Sequence, residues 1–489
     1  MKTGQRIFRN SFILIFQSSL ALLISLLING YVAKKLGPSD YGKFVFAFSF
    51  ATLFSFFTDM GFYGWSVKEI ARYRNKTSGI LGDLVIVRGF FSLVVLVCIG
   101  LVINILDYPP STRLAVYIAA TSLILLAPQF TNAWIIFEAH EKVRYEGTSN
   151  VLSRVLVGAL SVYLMYAGYG FIALSLAYLS GTFIQIIYCY YVLKKEFVLP
   201  QIEVSISKYL SQMKVALPFA FFGFFYVIYY EIDKTMLSLM VGDAAVGLYN
   251  AATAITYKGG IISGSIATAI LPAMIRWHGE SKEKLANLLA RIIPILLIIG
   301  LPIAIVCTTF AEEIINIIYR SPDYKESILT LRIIIWMVPL EFLSHILRFS
   351  LIAADRQGIV TWSAGIGVAF NVLLNILLIS SLKQNGAAIA TVATEALILI
   401  YQFYYFSKNI SKIPVGRKVG YSLVSNAILF AVFYCLKGSI SYYTLPLGFG
   451  IYLGALALLR CLSKEDLETF GMAGVFRSIV GRSAYSAEG

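Results

Sequence analysis

The sequence predicts an all-α polytopic membrane protein of about fourteen transmembrane helices: two six-helix lobes in a parallel repeat, with two extra C-terminal helices. Three observations carry that prediction. Of 489 residues, 58% are hydrophobic and only 13% charged, which is too apolar for a soluble chain of this size. Apolar runs of spanning length recur along the whole chain, and two short motifs of the first half return in the second, roughly 200 residues later.

The runs lie near 12–33, 43–66, 84–106, 114–137, 151–168, 171–193, 214–240, 247–275, 291–310, 328–353, 361–381, 387–406, 421–437 and 445–462. Each has about the length that crosses a hydrocarbon core as a helix. Lys2, Arg6 and Arg9 precede the first, but it is too long for a signal-peptide core and lacks a small-residue cleavage site, so it stays as a helix. Prolines inside several runs (Pro128, Pro218, Pro272, Pro294, Pro302, Pro339) predict kinks. The expected organisation is an N-terminal lobe over 1–200, a C-terminal lobe over 201–410, two further helices over 411–462 and a cytoplasmic tail over 463–489.

The net charge of +14 does not indicate a nucleic-acid partner, because the basic residues sit in the short connections between apolar runs. Alternate connections hold about 25 and about 7 Lys and Arg, which places both termini in the cytoplasm of a bacterial or archaeal cell, the chain crossing its cytoplasmic membrane. Outer connections of about 17 residues at most leave no room for an extracytoplasmic domain and little for a catalytic one. The five cysteines (Cys98, Cys189, Cys307, Cys435, Cys461) lie in or beside apolar runs without paired spacing and read as small free hydrophobes. With three scattered histidines they form no recognisable metal site.

Repetition sets the architecture. LGPSDYG (36–42) follows the first helix and VGDAAVG (241–247) the seventh, and YGFIALSLAYLSG (169–181) opens the sixth as NGAAIATVATEAL (385–397) opens the twelfth. Units six spans apart have the same orientation, so the repeat axis runs along the membrane normal and the substrate site falls between the halves.

Charges inside spans are the candidate functional residues. YYEIDKTML (229–237) places Glu231 and Lys234 on one face and Asp233 on another, with Tyr226, Tyr229 and Tyr230 nearby. Either Glu231 and Lys234 satisfy each other, or Lys234 or Asp233 lines a route whose tyrosines offer aromatic faces and hydroxyls. Lys258 stands near mid-span on a small-residue face with Ala251, Ala254 and Ser265, with no acid within a turn. Arg88 and Asp59 lie about 6 and 10 Å inside the same membrane side, either paired or with Arg88 snorkelling. Glu341, His345 and Arg348 share a face of the tenth helix, and Glu395 is isolated in the twelfth. Arg88, Lys234, Lys258 and Arg348 are therefore candidates for binding an anionic substrate. Asp59, Glu231, Asp233, Glu341 and Glu395 are candidates for ion coupling or charge pairing. Asn371 with Asn375, and Gly450 with Gly454, read as helix-packing devices.

LGPSDYGKF, EIDKTML with VGLYNAATAI, ILPAMIR, FEAHEKVRYEG, and NVLLNILLI leading to NGAAIATVATEA resemble, in that order, the polysaccharide flippases. These are the Wzx-like branch of the multidrug, oligosaccharidyl-lipid and polysaccharide exporter superfamily, and the resemblance runs from about residue 8 to residue 460. It implies alternating access that carries an undecaprenyl-pyrophosphate-linked oligosaccharide to the outer leaflet. It further implies no cofactor beyond a coupling proton or sodium ion, partner glycosyltransferases and a polymerase, and a monomeric carrier. A multidrug cation antiporter of the same superfamily remains open, as does a glycan polymerase. The basic mid-span residues favour an anionic cargo over a cationic drug.

Overall fold

The computed structural model describes residues 3–203, 205–414, 416–436 and 444–459, with side chains from residue 25 onward at most of these positions. The expected tail over 463–489 and Cys461 lie outside the described residues. All regular structure there is helical.

The first half comprises α1 (Thr3–Asp59), α2 (Phe62–Arg72), α3 (Thr77–Ile105), α4 (Pro110–Ala120), α5 (Ala127–Ala139), α6 (Arg144–Tyr166) and α7 (Phe171–Glu196). In the second half are α8 (Ile206–Met240), α9 (Asp243–Glu280), α10 (Lys282–Thr309), α11 (Ala311–Tyr319), α12 (Ser327–Ile334), α13 (Met337–Ala353) and α14 (Gln357–Asn409). Then follow α15 (Arg417–Leu436) and α16 (Thr444–Leu458). Among the described residues, ten helical stretches are long and apolar enough to cross a membrane. The helix α1 is broken at Gly37 (φ 72°) and α14 at Lys383 (φ 51°), so each makes two passes. With α8 and the shorter α16 added, the fourteen passes follow the order of the apolar runs.

Three boundaries differ from the sequence reading. The second pass ends at Asp59, where Met60 and Gly61 take positive φ, and α2 is a separate amphipathic helix burying Phe62, Ser66 and Ile70. Pass four is α4 and α5 joined by a π-helical stretch, Thr121–Leu126, just before Pro128, a proline removing one backbone donor there. Pass ten is jointed between α12 and α13 at Ile335 and Trp336, just before Pro339.

The repeated motifs explain how the halves meet. Gly37 and Gly242 open the two motifs with positive φ (72° and 115°), a conformation that glycine adopts without strain. The glycines that close them, Gly42 and Gly247, sit where α1 crosses α9. A β-carbon on Gly42 would overlap the carbonyl of Asp243, and one on Gly247 the carbonyl of Pro38. Pro38 and Asp243 hold the same place in their motifs, so the contact is reciprocal about the repeat axis. Asn250 Nδ2 donates to Tyr41 Oη at 2.9 Å beside this crossing.

At the other end, the linker after α7 is pinned to the start of α3. Gln201 N donates to the Ser78 carbonyl at 3.0 Å, and Ser78 Oγ to the Leu199 carbonyl at 2.6 Å. Buried Asp83 of α3 accepts from Lys208 (2.8 Å) and Gln212 (2.8 Å) of α8. The last pair packs on α10, with Tyr452 Oη donating to the Ile298 carbonyl at 2.9 Å. Gly450 and Gly454 do not form the expected close contact, since nothing lies within 4 Å of a β-carbon at either. Gly448 instead faces the ring of Phe433 on α15.

Candidate functional site

Four groupings gather the charged residues of the spans, and α8 contributes to two of them.

Asp233 is fully buried. Its carboxylate accepts from Tyr249 Oη (2.6 Å), Thr391 Oγ1 (2.6 Å) and Asn375 Nδ2 (2.6 Å). Asn375 also donates to Asn371 Oδ1 at 2.9 Å, while its own Oδ1 is buried without a partner. Every group on this carboxylate is neutral. On a neighbouring face of the same turn, Lys234 Nζ and Glu231 Oε2 form an ion pair at 2.8 Å. The helix thus turns its cation and one acid toward each other and its second acid into α9 and α14.

A second grouping joins α8, α13 and α14. Tyr229 Oη donates to Glu395 Oε2 at 2.8 Å and Tyr230 Oη to Glu341 Oε1 at 2.7 Å. Glu341 lies 3.9 Å from His345 Nε2, and His345 Nδ1 shares a 2.6 Å hydrogen bond with Ser263. Gly260 makes room for Glu341, since a β-carbon there would lie 2.6 Å from Oε1. Arg348, Glu395 and Gln402 border a cavity of about 30 Å³, enough for one or two waters. The Oε1 atoms of Glu395 and Gln402 are buried and unpartnered.

In the N-terminal half, buried Arg88 is held between Asp59 (3.1 Å) and Asn132 Oδ1 (2.6 Å). Arg88 is paired rather than snorkelling. Asp59 stands at the end of α1.

Lys258 differs from these. It is half-buried on α9 and, among the described residues, makes no hydrogen bond or ion pair. The charge that acts on it is Arg154 of α6, which is exposed and likewise makes no ion pair among the described residues. One cation comes from each half. Sequence reading missed Arg154, which stands in the first turn of an apolar run and looks there like an interfacial arginine. It also missed Thr391 and Tyr249, because nothing in either local sequence points to a carboxylate on α8.

The family model described as polysaccharide biosynthesis protein matches residues 7–278, more than half of the chain. The chain belongs to that family. A second family model, MatE, matches residues 218–377 of this polysaccharide biosynthesis protein. Among curated proteins it is similar to one named "Probable low-salt glycan biosynthesis flippase Agl15" from Haloferax volcanii, 25% identical over 48% of this chain and 49% of that one. It is also similar to "Probable lipid II flippase MurJ" of Rhizobium meliloti, 25% identical over 46% of this chain and 44% of that one. The chain thus aligns with about half the length of these relatives. Among solved structures, a lipid II flippase MurJ in an inward closed conformation superposes with a TM-score of 0.75 at 14% identity, over 93% of this chain and 99% of that one. An inward-facing multidrug MATE transporter superposes at 0.65 and 17% identity, over 80% and 94%. These likenesses establish a shared polytopic fold.

Proposed function

We propose that this chain is a flippase that carries a lipid-pyrophosphate-linked oligosaccharide from the cytoplasmic to the outer leaflet by alternating access. The observation that carries the reading is Lys258, a half-buried cation of α9 that makes no hydrogen bond or ion pair among the described residues, with a second cation, Arg154, acting on it from the other half. An unpaired cation at membrane depth costs roughly 2.5 to 3.5 kcal/mol on insertion scales. An anion between the two halves offsets that cost, and a diphosphate brings about two negative charges. A cationic drug would meet the opposite field, which disfavours the antiporter reading. Family membership and the glycan and lipid II flippases among the relatives support the same choice, and transport rather than catalysis.

The buried acids supply the coupling. Around Asp233 stand the oxygens of Asn371, Asn375, Thr391 and Tyr249, hard donors that suit a proton or a sodium ion. The unpartnered Oδ1 of Asn375 is free to turn to such a cation. Arg88, Lys234 and Arg348 lie beside acids, so in this reading they hold helices together and Lys258 with Arg154 receives the phosphates. Glycosyltransferases and a polymerase would precede and follow the step.

The test is surface glycan in cells whose only copy carries Lys258→Ala or Arg154→Ala at native expression. Each is expected to lose at least about tenfold in flux, equivalent to about 1.4 kcal/mol, with unchanged membrane level. Normal glycan in both variants would overturn the anion reading.

A further inference from the structure

Beside the pinned linker lies an open groove of about 520 Å³, lined by Tyr190, Tyr191, Lys194, Leu199 and Pro200. It stands outside all four charge groupings. Above it, α7 exposes Phe183 and Ile187 (48% and 66%) at the four-residue spacing that puts them on one face. This stripe runs into Tyr190 and Tyr191 and ends on Lys194, about 16 Å from Phe183 by helix rise, roughly one leaflet's hydrocarbon depth.

The charges at the groove are sorted unusually. The adjacent acid, Glu196, is turned to Lys142 at 3.7 Å. Lys195 lies over the Tyr191 ring at 5.8 Å. Lys194 is exposed and, among the described residues, has no hydrogen bond or ion pair. The far wall is fixed, because Leu199 and Gln201 are bonded to Ser78 and Gly82 gives the Gln201 carbonyl room against α3. A concave apolar slot with one spare cation and two tyrosines at its rim, continuous with a lipid-facing stripe, matches an amphiphile bearing one phosphate.

We propose that this groove holds one anionic phospholipid, its phosphate beside Lys194 at the tyrosine rim and an acyl chain along Ile187 and Phe183. An ordinary annular lipid would exchange freely and not discriminate by headgroup, whereas this site selects for net negative charge. The groove stands outside all four charge groupings, so the occupant is a membrane phospholipid and not the carrier's cargo.

The full chain, reconstituted in vesicles of equal phosphatidylglycerol and phosphatidylcholine and then extracted in mild detergent, is examined by native mass spectrometry. One phosphatidylglycerol per chain should be retained. Lys194→Glu should reduce its occupancy about tenfold, Lys194→Arg should keep it, and Lys76→Glu, an exposed cation elsewhere at this end, should leave it unchanged. Equal retention by Lys194→Glu, equal retention of phosphatidylcholine, or an equal loss in Lys76→Glu would each overturn the assignment. None of these outcomes depends on which molecule the protein transports.

Discussion

Asp233 is the residue whose surroundings make the sharpest demand. Three neutral donors converge on it, so truncation to Ala strands them at roughly 1 to 3 kcal/mol each before any relaxation. Asn keeps the shape. Its carbonyl still accepts from Tyr249 and Thr391, and its new amide finds the vacant Oδ1 of Asn375 once that side chain flips. Thermal unfolding should therefore place Asp233→Asn near the parent and Asp233→Ala at least about 2 kcal/mol lower, while Asp233→Asn loses the ion dependence of transport in proteoliposomes. Retained ion dependence in Asp233→Asn would move coupling to Glu341 and Glu395. Lys234 makes a different demand, since Lys234→Ala leaves Glu231 without its cation and should cost about 3 kcal/mol. Adding Glu231→Gln should restore most of that, and no restoration would mean the pair is not what Lys234 contributes.

Among the elements, the crossing of α1 and α9 depends on two glycines. Inserting a methyl into a packed site costs about 1 to 3 kcal/mol when side chains can yield, and here the obstacle at each glycine is a carbonyl of the opposite helix. Gly42→Ala or Gly247→Ala should therefore push α1 and α9 apart at this crossing. Spin labels on Ser39→Cys and Ala244→Cys should report a longer mean separation in either variant, and an unchanged distance distribution would show that the glycines do not set the approach of the two helices. The sequence announced this element through the spacing of its glycines, but not their division of labour. Backbone torsion decides that the first glycine of each motif turns the chain and the last admits the neighbour.

For the whole molecule, the passes were legible because burial in lipid demands long apolar runs whatever the neighbours. The repeat was legible because its turn chemistry survives in both halves. Which helices face one another was not legible. Asp233 meets Asn375 and Thr391 across more than 140 residues of chain, and a helical period gives a direction around one axis without naming the neighbour. That Arg154 acts on Lys258 was hidden for that reason. The orientation inferred from the basic connections makes its own prediction: cysteines at Asn75 and Lys282 should resist an impermeant thiol reagent added outside intact cells, and one at Ser39 should react. Labelling of the first two with protection of the third would invert the membrane orientation.

The reciprocal glycine crossing also bears on how this protein can change over generations. A clash between side chains can be relieved by shrinking the partner, but a clash with a carbonyl oxygen has no such remedy, because every residue type at Pro38 or Asp243 presents the same atom. Spontaneous revertants of Gly42→Ala should therefore restore the glycine itself or arise far from Asp243, in segments that let a whole helix shift. The seam between the duplicated halves is thus closed to local compensation, and each copy of the motif constrains the other through an atom that mutation cannot remove.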